Sequence, residues 1–293
     1  MAASIISIQQ LLVNPNTFAI PKQLQLLAQK TITQLNVGMH AAKKLHNNFE
    51  FNQFKSYTPG DDLRLVDWKT FGKTKKLYIK QAPKINNISV HLIPDVSKSM
   101  LYEEGGISKI NFTIYLFASL CNLVMQQQDD LFFFNTKKKL NLKEALHFLT
   151  RTKLVNKWTN NQQQYYQSIN NNKKKLIIYC SDFYEYNNEM IEWLNLAAVR
   201  KNEVIVFYIT GKQERDFDFK NANHIKDLET GQTTILNKQI KESAKTYFQN
   251  RKNYLKNVFT KNKINYVELS MNELPVNALS KFLLIRSKIA NVI

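Results

Sequence analysis

The stretch Ile88–Met100, ISVHLIPDVSKSM, decides how this chain is read. Val90, Leu92 and Ile93 supply the apolar, β-branched character of a strand. The strand runs out into three oxygen-bearing side chains spaced by two, Asp95, Ser97 and Ser99. A carboxylate and two hydroxyls delivered into one tight loop are hard donors of the kind that magnesium, manganese or calcium favours; sulfur and imidazole, which suit zinc, are missing from it. Gly105 and Gly106 then lead to Ser108, the expected N-cap of a helix. Strand, loop and helix in this order form the crevices found at the carboxyl ends of strands in open α/β sheets.

Serines after a strand also satisfy backbone groups by local hydrogen bonding, and the motif by itself leaves that reading open. An aspartyl-phosphate phosphatase loop does not fit. It needs a second carboxylate two residues after the nucleophile to protonate the leaving oxygen, and Ser97 stands there. Gly72-Lys73-Thr74 does not make a phosphate-binding loop either. The glycine required five positions earlier is Asp67, and a strand-like run follows in place of a helix.

Length and composition set the frame. A chain of 293 residues, 44% apolar, has enough material for a real core as one large domain or two small ones. The formal charge of +18 raises nucleic acid or an anionic surface as a partner. The lysines, however, are scattered among Asn and Gln, with short runs only at 137–139 and 173–175, and no nucleic-acid reading module accompanies them. The two cysteines, Cys121 and Cys180, sit in apolar segments and read as buried thiols of a cytosolic protein. The N-terminus has no signal-peptide pattern, and the most apolar segment, Ile110 to Met125, is interrupted by Asn111, Thr113, Ser119 and Asn122. A soluble chain is expected.

Along the chain, residues 1–45 read as helical, with Pro21 in a first turn. Thr58-Pro59-Gly60-Asp61 is turn chemistry, Leu63, Leu65, Val66 and Trp68 form a short apolar cluster, and Leu77–Gln81 reads as a strand. Beyond Met100 come a helix at 108–128, a strand at 131–135, a helix at 142–150, and a loop and helix at 159–172. The unbroken apolar strand Leu176–Ser181 follows and delivers Asp182. A helix at 190–198, a strand at 204–209, a hairpin turn at 229–232, a long helix at 238–259, a strand at 266–269 and a helix at 276–286 complete the pattern. Strands alternating with helices predict an α/β fold, a doubly wound, mostly parallel, Rossmann-like sheet over residues 86–293, preceded by a helical and β extension at 1–85.

Asp95, Ser97 and Ser99 on one loop, Thr159 on a second and Asp182 on a third resemble the metal-ion-dependent adhesion site of a von Willebrand factor A domain. That resemblance implies Ser97, Ser99 and Thr159 as direct ligands of Mg2+ (or Mn2+ or Ca2+), with Asp95 and Asp182 acting through water. Thr159 departs from the pattern in following Trp158, where a glycine is usual.

The segment FNQFKSYTPGDDLRLVDWKTFGKTKKLYIKQ resembles the characteristic block of the bacterial "domain of unknown function 58" family, through Phe54, Tyr57, Pro59, Gly60, Asp61, Asp62, Arg64, Asp67 and Trp68. Asp227-Leu228-Glu229-Thr230-Gly231 and Pro275, Leu279, Phe282, Leu283 and Arg286 fit as well. Lys55 and Phe71-Gly72-Lys73 depart from it. The resemblance implies an adaptor or chaperone-like partner of a MoxR-type AAA+ ATPase. For the block itself the residues suggest a turn network of Asp62, Arg64 and Asp67 pinned by Trp68 against the sheet, or a partner-facing surface.

The expectation is therefore a cytoplasmic, non-enzymatic, metal-dependent protein-interaction module without transmembrane segments or specific nucleic-acid binding. The alternatives are a metal-dependent hydrolase using Asp95 and Asp182, for which none of the five histidines is evidently placed as a base, and a charge-driven nucleic-acid binder.

Overall fold

The computed structural model describes residues 20–43, 53–59, 62–81, 88–133, 136, 138–151, 174–184, 188–219 and 224–290. In chain order the elements are α1 (Pro21–Lys43), β1 (Gln53–Ser56), α2 (Trp68–Thr74), β2 (Tyr78–Gln81), β3 (Ser89–Pro94), β4 (Glu103–Glu104), β5 (Ile107–Ser108), α3 (Lys109–Gln126), β6 (Asp130–Phe133) and α4 (Leu142–Thr150). They continue with β7 (Lys175–Ser181), α5 (Glu189–Val199), β8 (Glu203–Thr210), α6 (Lys212–Asp216), β9 (His224–Lys226), β10 (Thr233–Ile235), α7 (Lys238–Lys261), β11 (Asn265–Ser270) and α8 (Pro275–Ala290). The helix expected at 159–172, Thr159 with it, lies outside the described residues, as do Gly60 and Asp61.

Contacts divide the chain into two units, 37–87 and 1–36 with 88–293. The helix residues before 37 group with the sheet, because Leu24, Leu27, Ala28 and Ile32 of α1 join its core and Thr31 hydrogen-bonds the Tyr115 hydroxyl.

In the larger unit five strands form one parallel sheet in the order β11-β8-β7-β3-β6. The chain steps from β3 outward to β6, returns across β3 to β7, and then moves steadily the other way. Such a reversal opens a crevice at the carboxyl ends of the two strands that flank it, here β3 and β7.

Alternation along the strands explains their apolar runs. Leu176, Ile178 and Cys180 of β7 face one core with Ile205, Phe207 and Ile209 of β8, beneath α1, α3, α4 and α8. Ile177, Tyr179, Val204, Val206 and Tyr208 face the other, beneath α5 and α7. Both faces are covered, so a periodicity of two in packing appears as unbroken hydrophobicity in sequence. α3 is buried on nearly all sides, which is why its sequence lacks a polar stripe. No helix among the described residues is long and apolar enough to cross a membrane.

The smaller unit pairs β1 with β2 antiparallel. Asp62 accepts from the Arg64 amide at 2.9 Å, and Asp67 caps α2 by accepting from Lys69 and Thr70 at 3.0 and 3.1 Å. These are the turn bonds expected of the two aspartates. The expectation for Trp68 is corrected. Its ring is 60% exposed and touches Phe71 edge-on within α2, a short helix with no buried residue. Trp68→Ala is expected to change unfolding free energy by no more than about 0.5 kcal/mol in urea titration, as surface substitutions do.

Candidate functional site

β3 ends at Pro94, and the Asp95 amide continues the ladder to the Cys180 carbonyl at 2.9 Å. The chain then closes a 3-10 turn over Lys98–Leu101 with Ser97 at its N-cap position. Ser97 makes no side-chain cap bond there. Its hydroxyl instead lies 3.0 Å from that of Ser99, and the Ser99 hydroxyl donates to Asp182 Oδ1 at 3.0 Å. The two serines are thus spent on each other and on a carboxylate from the neighbouring strand. The local backbone reading fits only Asp95, which accepts from the Ser97 amide at 2.9 Å.

The carboxylates are held from several sides. Asp95 Oδ2 accepts from the Ser181 hydroxyl, which in turn accepts from the Phe183 amide at 2.8 Å. Asp182 Oδ1 also accepts from the Tyr184 amide at 3.1 Å. Asp95 and Asp182 are each only 6% exposed. Burial first, then the charge of Asp182, raise the Asp95 carboxyl to about 6.

A fully buried lysine completes the cluster. Lys109, the first residue of α3, puts its ammonium 2.7 Å from Asp182 Oδ2 and 2.7 Å from Glu214 Oε1, over the Tyr102 ring. Burial would lower its pKa, but Asp182 and Glu214 outweigh that and hold it above the ordinary lysine value. Glu214 belongs to α6, and its other oxygen accepts from the Gly211 amide at 3.2 Å. A Cβ on Gly211 would lie 2.7 Å from the Tyr102 ring, so this strand-to-helix turn needs glycine. Glu214 is itself raised, chiefly by burial. Glu229, from the turn between β9 and β10, accepts from the Ser99 amide at 2.6 Å.

Of the residues the sequence singled out, the structure brings together Asp95, Ser97, Ser99 and Asp182; Thr159 lies outside the described residues. Lys109, Ser181 and Glu214 were not foreseen, and Glu229 stood out only within the family-like segment 227–231. Lys109 did carry a signal, being a cation at a helix N-terminus, where the dipole disfavours one, just ahead of an apolar run.

The donor set suits a hard divalent cation. Asp182 and Glu214 share one ammonium and Asp95 feels the charge of Asp182, so negative charge is in excess, and two hydroxyls sit beside it free of backbone duties. Among the described residues no group of three or more His, Cys, Asp and Glu is placed to hold a metal, so any ion here would rely on the serine hydroxyls.

No curated protein sequence matches the chain. Solved structures similar to it at low identity include two from Bacteroides. The conserved hypothetical protein BatB from Bacteroides thetaiotaomicron shares 14% identity, with 69% of this chain and 100% of that one covered and a TM-score of 0.44. An aerotolerance-related membrane protein from Bacteroides fragilis NCTC 9343, with multiple mutations to serines, shares 12%, with 67% and 96% covered and a TM-score of 0.44. The family model described as protein of unknown function DUF58 matches residues 53–256, most of the chain, and the protein belongs to that family.

Proposed function

We propose that the chain is a divalent-cation-dependent protein-interaction module with a von Willebrand factor A-like site, in which Ser97 and Ser99 ligate Mg2+ or Mn2+ and Asp95 and Asp182 hold its water shell. The observation that carries this reading is the convergence, at the carboxyl ends of β3 and β7, of two buried carboxylates on two hydroxyls that cap nothing. A bound cation would supply an electrophilic position for a carboxylate of the partner. The protein's own part is orientation. Lys109 holds one oxygen of Asp182 and thereby turns the other toward Ser99, while Ser181 fixes Asp95. The family resemblance favours a MoxR-type AAA+ ATPase, or its client, as the partner, and the two buried free thiols suit a reducing cytoplasm.

Calorimetric titration of MnCl2 into wild type and Ser97→Ala tests the cation half. Wild type should bind, and the variant should lose about tenfold or more in affinity; equal binding by the two proteins sinks the reading. Capture of the ATPase by wild-type protein should then be abolished by a chelator and by the same substitution.

A further inference from the structure

The hairpin β9–β10 brings a carboxylate to the rim of this cluster from a distant part of the sequence. Its turn is built by its own residues. Asp227 accepts from the Glu229 amide at 2.8 Å, the Gly231 amide returns to the Asp227 carbonyl at 2.8 Å, and Gly231 takes a φ of +75°. The Glu229 side chain takes no part in that turn and reaches the Ser99 amide, 130 residues away in sequence. Glu229 thus holds the backbone of the residue whose hydroxyl faces Asp182 and Ser97. The strands of the hairpin are otherwise poorly covered, and Ile235 is 66% exposed.

We propose that Glu229 is an intramolecular stand-in for the partner's carboxylate: the hairpin seats it against Ser99, and an acidic residue of a partner gains the site only when the hairpin moves aside. The idea deepens the cation-site reading above and rests on it. Glu229 adds a further negative charge to a cluster already in excess by Asp95, Asp182 and Glu214 over Lys109. Among the described residues it does so through one hydrogen bond, from a turn held by its own residues. That is the construction of a latch.

The test uses the full chain, Mn2+ and acetate as the carboxylate probe. Paramagnetic broadening of the acetate methyl resonance by protein-bound Mn2+ is compared in wild type and Glu229→Ala, after calorimetry has established Mn2+ binding to each. Because Asp227 and Gly231 hold the turn, the substitution leaves the hairpin intact. Loss of a charge-assisted hydrogen bond should raise apparent acetate affinity about tenfold. Mn2+ bound by both proteins with equal acetate broadening overturns the latch and leaves the cation site standing. Mn2+ bound by neither overturns both.

Discussion

Replacing Lys109 by methionine is expected to destabilise the fold by about 3–5 kcal/mol, the range for breaking a buried ion pair from one side. The ammonium is fully buried, and both of its carboxylate partners are nearly so. Methionine fills most of the volume but leaves Asp182 and Glu214 facing each other without a counter-charge. Set against a total stability of roughly 5–15 kcal/mol, that loss would dominate a urea or thermal unfolding curve. Adding Glu214→Gln to Lys109→Met should recover part of it, because one of the two stranded charges is then gone. If Lys109→Met unfolds like wild type, the carboxylates are not charged together in the folded protein.

His91→Phe should remove an acid-sensitive contribution to stability worth roughly 3 kcal/mol by pH 4. Burial, and secondarily the charge of Lys175, lower the His91 imidazole to about 4, while in the unfolded chain it titrates at the ordinary value near 6.5. Between those values the unfolded chain binds the proton and the folded one does not, so stability falls as pH drops from 6.5 toward 4 and is fully present above that window. The ring stacks on Phe132 at 4.9 Å, and phenylalanine preserves that contact. Asp95, raised to about 6, works in the opposite direction, since protonation relieves the cost of burying its charge. The difference between wild type and His91→Phe therefore carries the test. Urea midpoints that diverge progressively below pH 6.5 are expected. Parallel curves would mean that the imidazole is protonated where it lies.

Much of the fold was legible in the sequence because each strand of a doubly covered sheet must be apolar on both sides. Leu176–Ser181 and Val204–Ile209 announce themselves that way, and elements alternating with helices of matching length leave few other arrangements. The cap residues were legible for the same local reason. Ser108 receives the Asn111 amide, and Asp67 receives two amides of α2. Trp68 was misjudged because aromaticity says nothing about which way a short helix faces, and here the ring turns to solvent.

The site divides along the same line. The sequence by itself determined the oxygen-rich loop Asp95-Ser97-Ser99 and the aspartate at the end of β7, since both follow from what a strand delivers at its carboxyl end. Only the tertiary structure decided the charge balance around them. Lys109, Glu214 and Glu229 come from a helix start, a short helix after β8 and a hairpin turn, separated by up to 120 positions. Ion pairing over such spans depends on which loops the strand order gathers at one end of the sheet. Neither hydrophobic periodicity nor capping chemistry encodes that, because both report only on neighbours along the chain.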